Sequence, residues 1–401
     1  MVTPFEDVDP RALGLRIQGA RKARGVSQMQ AAQALGMSRP TYIAIEKGER
    51  RVSPEELTVL SELVGRTVHE LLRKRPPVSN LVPHFRTAAS RFQLDDSELD
   101  ASTAQLQELC DDYLELESLC RTTLTRNYPA PYVIGSREAR EAASEAADTE
   151  RRRLGLGDGP IASLRQILEA DVGLRVFNLR LPNEVAGLFA YDEALGGCIA
   201  VQGAHPVERQ EWSLAHEYAH FLAHRFEPEV TVLRSGSRSS AKERFADAFA
   251  ECFLMPEYGL RRRFNDLRQA SENVTVGGLV TLADLYGVSF QAMVLRLETL
   301  RLTPGGTWEG LKKRGFKVRE AKEQMGLEPP APAKNLPDRY VSLAAQAFEE
   351  DLITEGELMR FLRTDRQFAR QLVQNVLHRT DVTRDGETRQ LVLDLSEPVT
   401  P

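Results

Sequence analysis

The sequence predicts an α+β multidomain protein: an all-α head at the N-terminus, a small central domain of strands and helices, and a helical C-terminal region. Three observations lead there. At 401 residues the chain is longer than one hydrophobic core usually serves. Near the N-terminus, two serine-capped helical patterns flank a glycine. Strand-like runs cluster between residues 174 and 201, directly before a helix that carries two histidines four residues apart.

Composition sets the outer bounds. Hydrophobic residues make up 42% and charged residues 27%, the balance of an ordinary globular protein. No run approaches the roughly 18–20 apolar residues that span a bilayer. Met1-Val2-Thr3-Pro4-Phe5-Glu6-Asp7 has neither the basic flank nor the apolar stretch of a signal peptide. Cys110, Cys120, Cys198 and Cys252 are widely spaced, with no CxxC pair. They suit reduced thiols, a cytoplasmic location and no membrane association. The net charge of −6 hides an asymmetry, because Arg11 to Arg51 holds nine Lys/Arg against only Glu46 and Glu49. A basic segment on an acidic chain points to nucleic-acid contact there.

The elements follow in order. Residues 1–76 form the head, closed by Arg75-Pro76-Pro77, where two prolines stop helix propagation. Residues 77–135 read as a helical linker. In it Leu106, Leu109, Tyr113, Leu116 and Cys120 make a heptad-like stripe, which suits either packing on the same chain or a homodimer helix. Residues 136–262 form the central domain. A helix rich in Ala, Glu and Arg ends at Gly155–Pro160, and a second covers Ile161–Ala170. Strands follow at Leu174–Leu179, Glu184–Tyr191 and Gly197–Val201, then helices from Pro206 to about Arg225 and over Ala241–Leu254. In residues 263–327, Leu282–Ser289 echoes Ala32–Ser38 as a second helix-turn-helix-like unit, but Phe290, Met293, Val294 and Leu295 after it look like packing residues. Residues 328–401 begin with a proline-rich linker. Short helices follow, one of them capped by Thr354, and then a strand candidate at Leu391–Leu395.

In the head, Ser27 caps a helix that begins at Gln28, Gly36 allows a tight turn, and Ser38 caps the next helix. Pro40 sits in its first turn, where a missing N–H costs nothing. The second helix offers Arg39, Thr41 and Tyr42 at its N-terminal end and Lys47 at its far end. Polar, reaching side chains suit the end that enters a major groove, so Gln28, Ser38, Arg39, Thr41, Tyr42 and Lys47 are the candidate contacts to a double-stranded operator. The segment from Arg21 through Gln28, and again from Ser38 to Arg51, resembles the Cro/repressor-type (XRE) helix-turn-helix family across residues 11–73. That resemblance implies five helices and DNA binding as a dimer.

His216 and His220 lie four apart on a helical pattern. An advance of about 400° puts both imidazoles on one face, a turn apart, where they can meet one Zn²⁺ or another divalent metal. Glu217 is placed to take a proton from water beside the metal. A catalytic zinc needs a third protein ligand, which Glu243 on the next helix can supply, while Asp247 can bond the far nitrogen of a ligand histidine. His224 lies about 12 Å along a straight helix from His216, too far to share the ion. Ala215–Phe221, Glu243–Ala250, Phe253–Pro256 and the strand Gly197–Val201 resemble the ImmA/IrrE family of metallopeptidases over residues 139–300. Asp247 stands where many members carry Asn.

The resemblance implies a small zincin fold, with His216, His220 and Glu243 as ligands and Glu217 as base. It also implies cleavage of a helix-turn-helix repressor, which relieves repression in a stress, phage or mobile-element response. Cys198, Ile199, Ala200 and Val201 are expected to form the edge strand that pairs with substrate. Self-cleavage between residues 76 and 135 is a further option. The other use that fits such a chain is an XRE-family transcription factor whose peptidase-like domain only senses or dimerises.

Overall fold

The computed structural model describes residues 9–66, 68–72, 96–134, 138–183, 185–193, 195–226, 231–232, 240–270, 273–328, 330, 334–377, 380–382 and 388–390. Its contacts group the chain into one unit of residues 1–108 and 125–335 and a second of residues 109–124 and 336–401.

The head has five helices: α1 (Pro10–Ala23), α2 (Gln28–Ala34), α3 (Arg39–Glu46), α4 (Pro54–Val64) and α5 (Val68–Leu72). Their starts are written in the sequence. Ser27 and Ser53 each form a capping box, with Gln30 and Glu56, and Ser38 accepts from the Thr41 amide. Gly36 takes φ +63° between α2 and α3, a conformation that strains any residue with a Cβ. Ile17, Ala31, Tyr42, Ile45, Leu57 and Leu60 fill the core.

The central sheet has four strands, β1 (Arg175–Leu179), β2 (Gly187–Asp192), β3 (Gly196–Gln202) and β4 (Thr231–Val232), in the order β1-β3-β2-β4. β1 runs parallel to β3 with Val176 opposite Ile199, while β2 runs antiparallel to it with Phe189 opposite Ile199. β3 therefore has neighbours on both sides, and all seven of its residues are buried. This corrects one expectation. Cys198, Ile199, Ala200 and Val201 are not an edge strand, because both rows of their backbone hydrogen-bonding groups face neighbouring strands. The helix expected to Ala170 is instead a short turn, Leu164–Ile167, running into a π-helical turn at Leu168–Val172 that Gly173 closes. β4 was not foreseen.

Against this sheet lies the helix Val207–His224, begun at Pro206. Its buried face carries Leu214, Ala215, Tyr218, Ala219, Phe221 and Leu222. The helix Ala241–Leu254, capped by Ser240, stacks Phe245 on Phe249 and Phe249 on Phe253 in the same core. Residues before 136 also belong here: the Asn127 amide donates to the Val172 carbonyl and the Tyr132 amide to that of Leu222.

Val276–Leu285 and Phe290–Thr299 form the second bent helix pair, meeting at 105°. Phe290, Met293 and Val294 are buried in the central core as packing residues, whereas Leu295, expected to pack with them, is exposed. No single described helix is long and apolar enough to cross a membrane.

In the second unit, the helices Asp338–Glu349, Glu355–Leu362 and Arg366–Leu377 pack together. Thr354 caps the middle one in a capping box with Glu357. The C-terminal part of the helix Asp96–Leu119 joins them. Tyr113 meets Tyr340 edge-on at 5.3 Å, Arg360 binds Asp112 at 2.6 Å and Arg339 binds Glu117 at 2.5 Å. The stripe of Leu109, Tyr113 and Leu116 is buried within the chain, so it is not an open dimer seam. The strand expected at Leu391–Leu395 lies outside the described residues, whereas a hairpin pairs Thr380–Val382 with Thr388–Gln390. Of the four cysteines, Cys110, Cys198 and Cys252 are buried and Cys120 is half-buried, and no disulfide joins them.

Candidate metal centre and DNA-facing surface

The metal site is built by two helices. In the first, the helical pitch brings the His216 and His220 Nε2 atoms to 3.1 Å. The second presents Glu243 from its opening turn, where the Ser240 hydroxyl accepts from the Glu243 amide at 3.2 Å and the helix dipole favours a carboxylate. Glu243 Oε2 lies 3.2 Å from His216 Nε2, and its Oε1 lies 3.5 Å from His220 Nε2. Ligands at about 2.1 Å from a tetrahedral zinc stand roughly 3.4 Å apart, so this donor set fits one such ion. Among the described residues, these three have ligand atoms within 4.8 Å of one another. His224 is not in the group, and its ring tilts against those of His220 and Phe245.

Asp247 bonds His216 Nδ1 at 3.0 Å, one turn beyond Glu243. That bond leaves Nε2 as the ligating nitrogen and fixes the ring. Asp247→Ala is expected to lower zinc affinity about 10–100-fold, read by competition with a chromophoric chelator. An unchanged affinity would show that the ring is held by packing alone. Burial opposes protonation of both histidines. In His216 the bonds to Asp247 and Glu243 outweigh it and lift the ring to about 9. His220 is held well below its ordinary value by burial, and next by the neighbouring His216.

Glu217 is fully buried, and neither of its carboxylate oxygens finds a hydrogen-bond partner among the described residues. Burial pushes it up to about 8, with His216 pulling the other way. A buried carboxyl without donors is costly to the fold. Gly187 on β2 makes its place. A Cβ there would stand 2.7 Å from Glu217 Oε1 and 2.9 Å from its Cγ. The sequence carried only a weak sign of this, a glycine inside a strand pattern.

Behind the site, Tyr218 donates to Glu150 at 2.5 Å, Tyr132 donates to the same carboxylate at 3.2 Å, and Arg153 pairs with it. Of the two residues between Glu217 and His220, Tyr218 thus anchors the helix to Glu150 on the helix Ala139–Arg153. This network was invisible in the sequence, since Tyr218 and Glu150 are 68 residues apart.

The head sorts its candidate residues by exposure. Arg39 and Lys47 are exposed at opposite ends of α3, and Thr41 is half-buried. Ser38 is exposed, but its hydroxyl is engaged with Thr41 as the cap. Gln28 donates to Glu46 at 2.9 Å and accepts from Arg39 at 3.1 Å, so it braces Arg39. Tyr42 is the second correction: it is 0% exposed in the head core and cannot reach a groove. On α3 it shares the inward face with Ile45. Glu46, counted in the sequence only as a stray acid, is buried and gathers Arg21, Gln28 and Gln18.

Comparison with known proteins agrees with this division. Residues 12–73 match the model of a helix-turn-helix domain, and residues 169–298 match that of the IrrE N-terminal-like domain. No curated protein matches the chain. Among solved structures, ComR from Streptococcus suis is similar at 10% identity over 92% of this chain and 89% of that one, with a TM-score of 0.16, too low to align the two folds. The chain therefore joins a Cro/repressor-type helix-turn-helix DNA-binding domain to a metallopeptidase-like domain of the ImmA/IrrE kind.

Proposed function

We propose that this protein is a cytoplasmic, DNA-binding regulator with a zinc-dependent endopeptidase domain. Its substrate is a helix-turn-helix repressor, and its own head, acting as a homodimer, brings it to the operator. The observation that carries the reading is the uncommitted Glu217 carboxylate, buried beside the converging His216, His220 and Glu243. A sensing module that only bound metal would have no use for an unpaired buried carboxyl next to it.

When bound, a zinc ion held by His216, His220 and Glu243 would supply a Lewis acid for the scissile carbonyl and would acidify water. Glu217 accepts the proton of the attacking water and returns it to the leaving amine. Asp247 keeps the His216 ring in register, and Gly187 keeps the space into which Glu217 fits. Gly187→Ala is expected to retain zinc and lose about 10²-fold in hydrolysis, because a displacement of about 1 Å at a reacting group has that effect. Equal rates for variant and wild type would show that Glu217 tolerates the shift. On DNA, Arg39 and Lys47 supply the charge and Gln28 aims Arg39.

The direct test mixes the zinc-loaded chain with purified helix-turn-helix repressors whose operators the head binds, with and without chelator, and reads products by intact mass. Chelator-sensitive cleavage at one site supports the reading. Intact repressors throughout, with zinc and DNA bound, overturn it.

A further inference from the structure

The central sheet has two outer sides, and they differ. On the β1 side, the Asn178 amide donates to the Asn335 carbonyl, far from Glu217 in the strand order. The β2 side borders the candidate site. Gly187 opens β2 directly against Glu217, and Phe189, two residues on and on the same face, meets Phe221 of the metal-binding helix at 6.0 Å. Among the described residues, the strand edge beside this site with which an extended peptide could pair is the outer edge of β2. That edge is taken by the chain itself: β4 pairs antiparallel to β2, with Val232 opposite Leu188 and Thr231 opposite Phe189.

We infer that the outer edge of β2 is a binding site for an extended peptide backbone, and that Thr231–Val232 occupies it as an internal, self-blocking strand. The inference rests on the peptidase reading for its consequence, since a blocked edge lowers hydrolysis. The occupancy itself does not depend on turnover. β4 has only two residues and so few ladder bonds, which makes it a weak competitor that a longer substrate strand can displace. It leaves the metal ligands intact, so the closed form still binds zinc. The active fraction is then the fraction with β4 released, and apparent affinity for any backbone-pairing ligand is reduced by that fraction.

The test uses the full, zinc-loaded chain and the double variant Thr231→Pro with Val232→Pro, which removes the β4 amide that faces β2 whichever of the two residues carries it. The probe is an extended peptide hydroxamate, whose binding is read by calorimetry and requires no catalysis. The variant is expected to bind it roughly tenfold more tightly than the wild type, the effect of releasing one or two net backbone hydrogen bonds. Equal or weaker binding by a variant that keeps its zinc overturns the inference, as does failure of both zinc-loaded chains to bind. Should the proline pair lose zinc, Thr231→Gly with Val232→Gly decides the question on the same readout. Hydrolysis of fluorescein-labelled casein is followed in parallel. A tenfold affinity difference with no hydrolysis by either chain sinks the peptidase reading and leaves the blocking strand standing. Hydrolysis with no affinity difference does the reverse.

Discussion

Glu217→Gln is expected to cut repressor hydrolysis by about 10²–10⁴-fold while zinc content and operator affinity stay at wild-type levels. The amide keeps the shape of the carboxylate but cannot accept a proton from water. Metal binding is spared because His216, His220 and Glu243 converge without Glu217, whose oxygens bond no other described residue. The same isolation gives a second sign to check. A buried carboxylate without partners is a cost to the fold, so the glutamine variant is expected to melt higher than the wild type in the metal-free form. Metal analysis, operator binding, cleavage rate and calorimetric Tm together check the assignment. A wild-type cleavage rate would remove Glu217 as the base. Full gene control by a variant that cannot cleave would favour the sensing role for the domain.

Glu46→Ala is expected to unfold or loosen the head, by about 3–5 kcal/mol, with loss of DNA binding. Arg21 and Glu46 pair at 2.6 Å with side chains only 7% and 1% exposed, so removing the acid strands a cation inside a small core. It also frees Gln28, which holds Arg39 at the start of α3. A loss of this size approaches the whole stability of a domain of this length. Both tryptophans, Trp212 and Trp308, lie outside the head, so amide exchange of residues 10–72 in the full chain is the suitable readout. Native protection there would show that the pair contributes little. The pH dependence follows from the same carboxylate. Burial pushes Glu46 up, but bonds from Arg21, Gln28 and Gln18 outweigh it and hold it below its ordinary value. A depressed folded-state value stabilises the head above the unfolded carboxylate range, near pH 4.3. That contribution is lost as pH falls through the folded value. Protection of the head should therefore be flat at neutral pH and fall on acidification, and the fall should be smaller in Glu46→Gln.

The local features were legible because their physics is local. The caps Ser27, Ser38 and Thr354, the turn at Gly36 and the four-residue step from His216 to His220 depend on neighbours in the chain, and all stand where the pattern put them. The spacing also put Glu243 and Asp247 on one helix face, and both reach the histidines. Boundaries were less legible. The π-helical turn after Ile167 and the share of Leu109–Leu124 in the C-terminal unit depend on packing that periodicity does not carry.

Two errors show where that reading stops. Tyr42 is polar enough to suit a groove, but α3 turns it into the head core, and a helical face is chosen by what packs on it. β3 has the apolar run of either an edge or a centre strand, and only the placement of β1 on one side and β2 on the other decided which. The sequence by itself determined that there is a serine-capped DNA-binding head, and that a histidine pair with a nearby glutamate is set out for metal. Only the tertiary structure decided that Glu217 lies unpaired against Gly187, that Glu46 is the hub of the head, and that β4 lies along β2. Each of these depends on groups distant in sequence meeting in space, and such meetings are set by how whole faces bury one another.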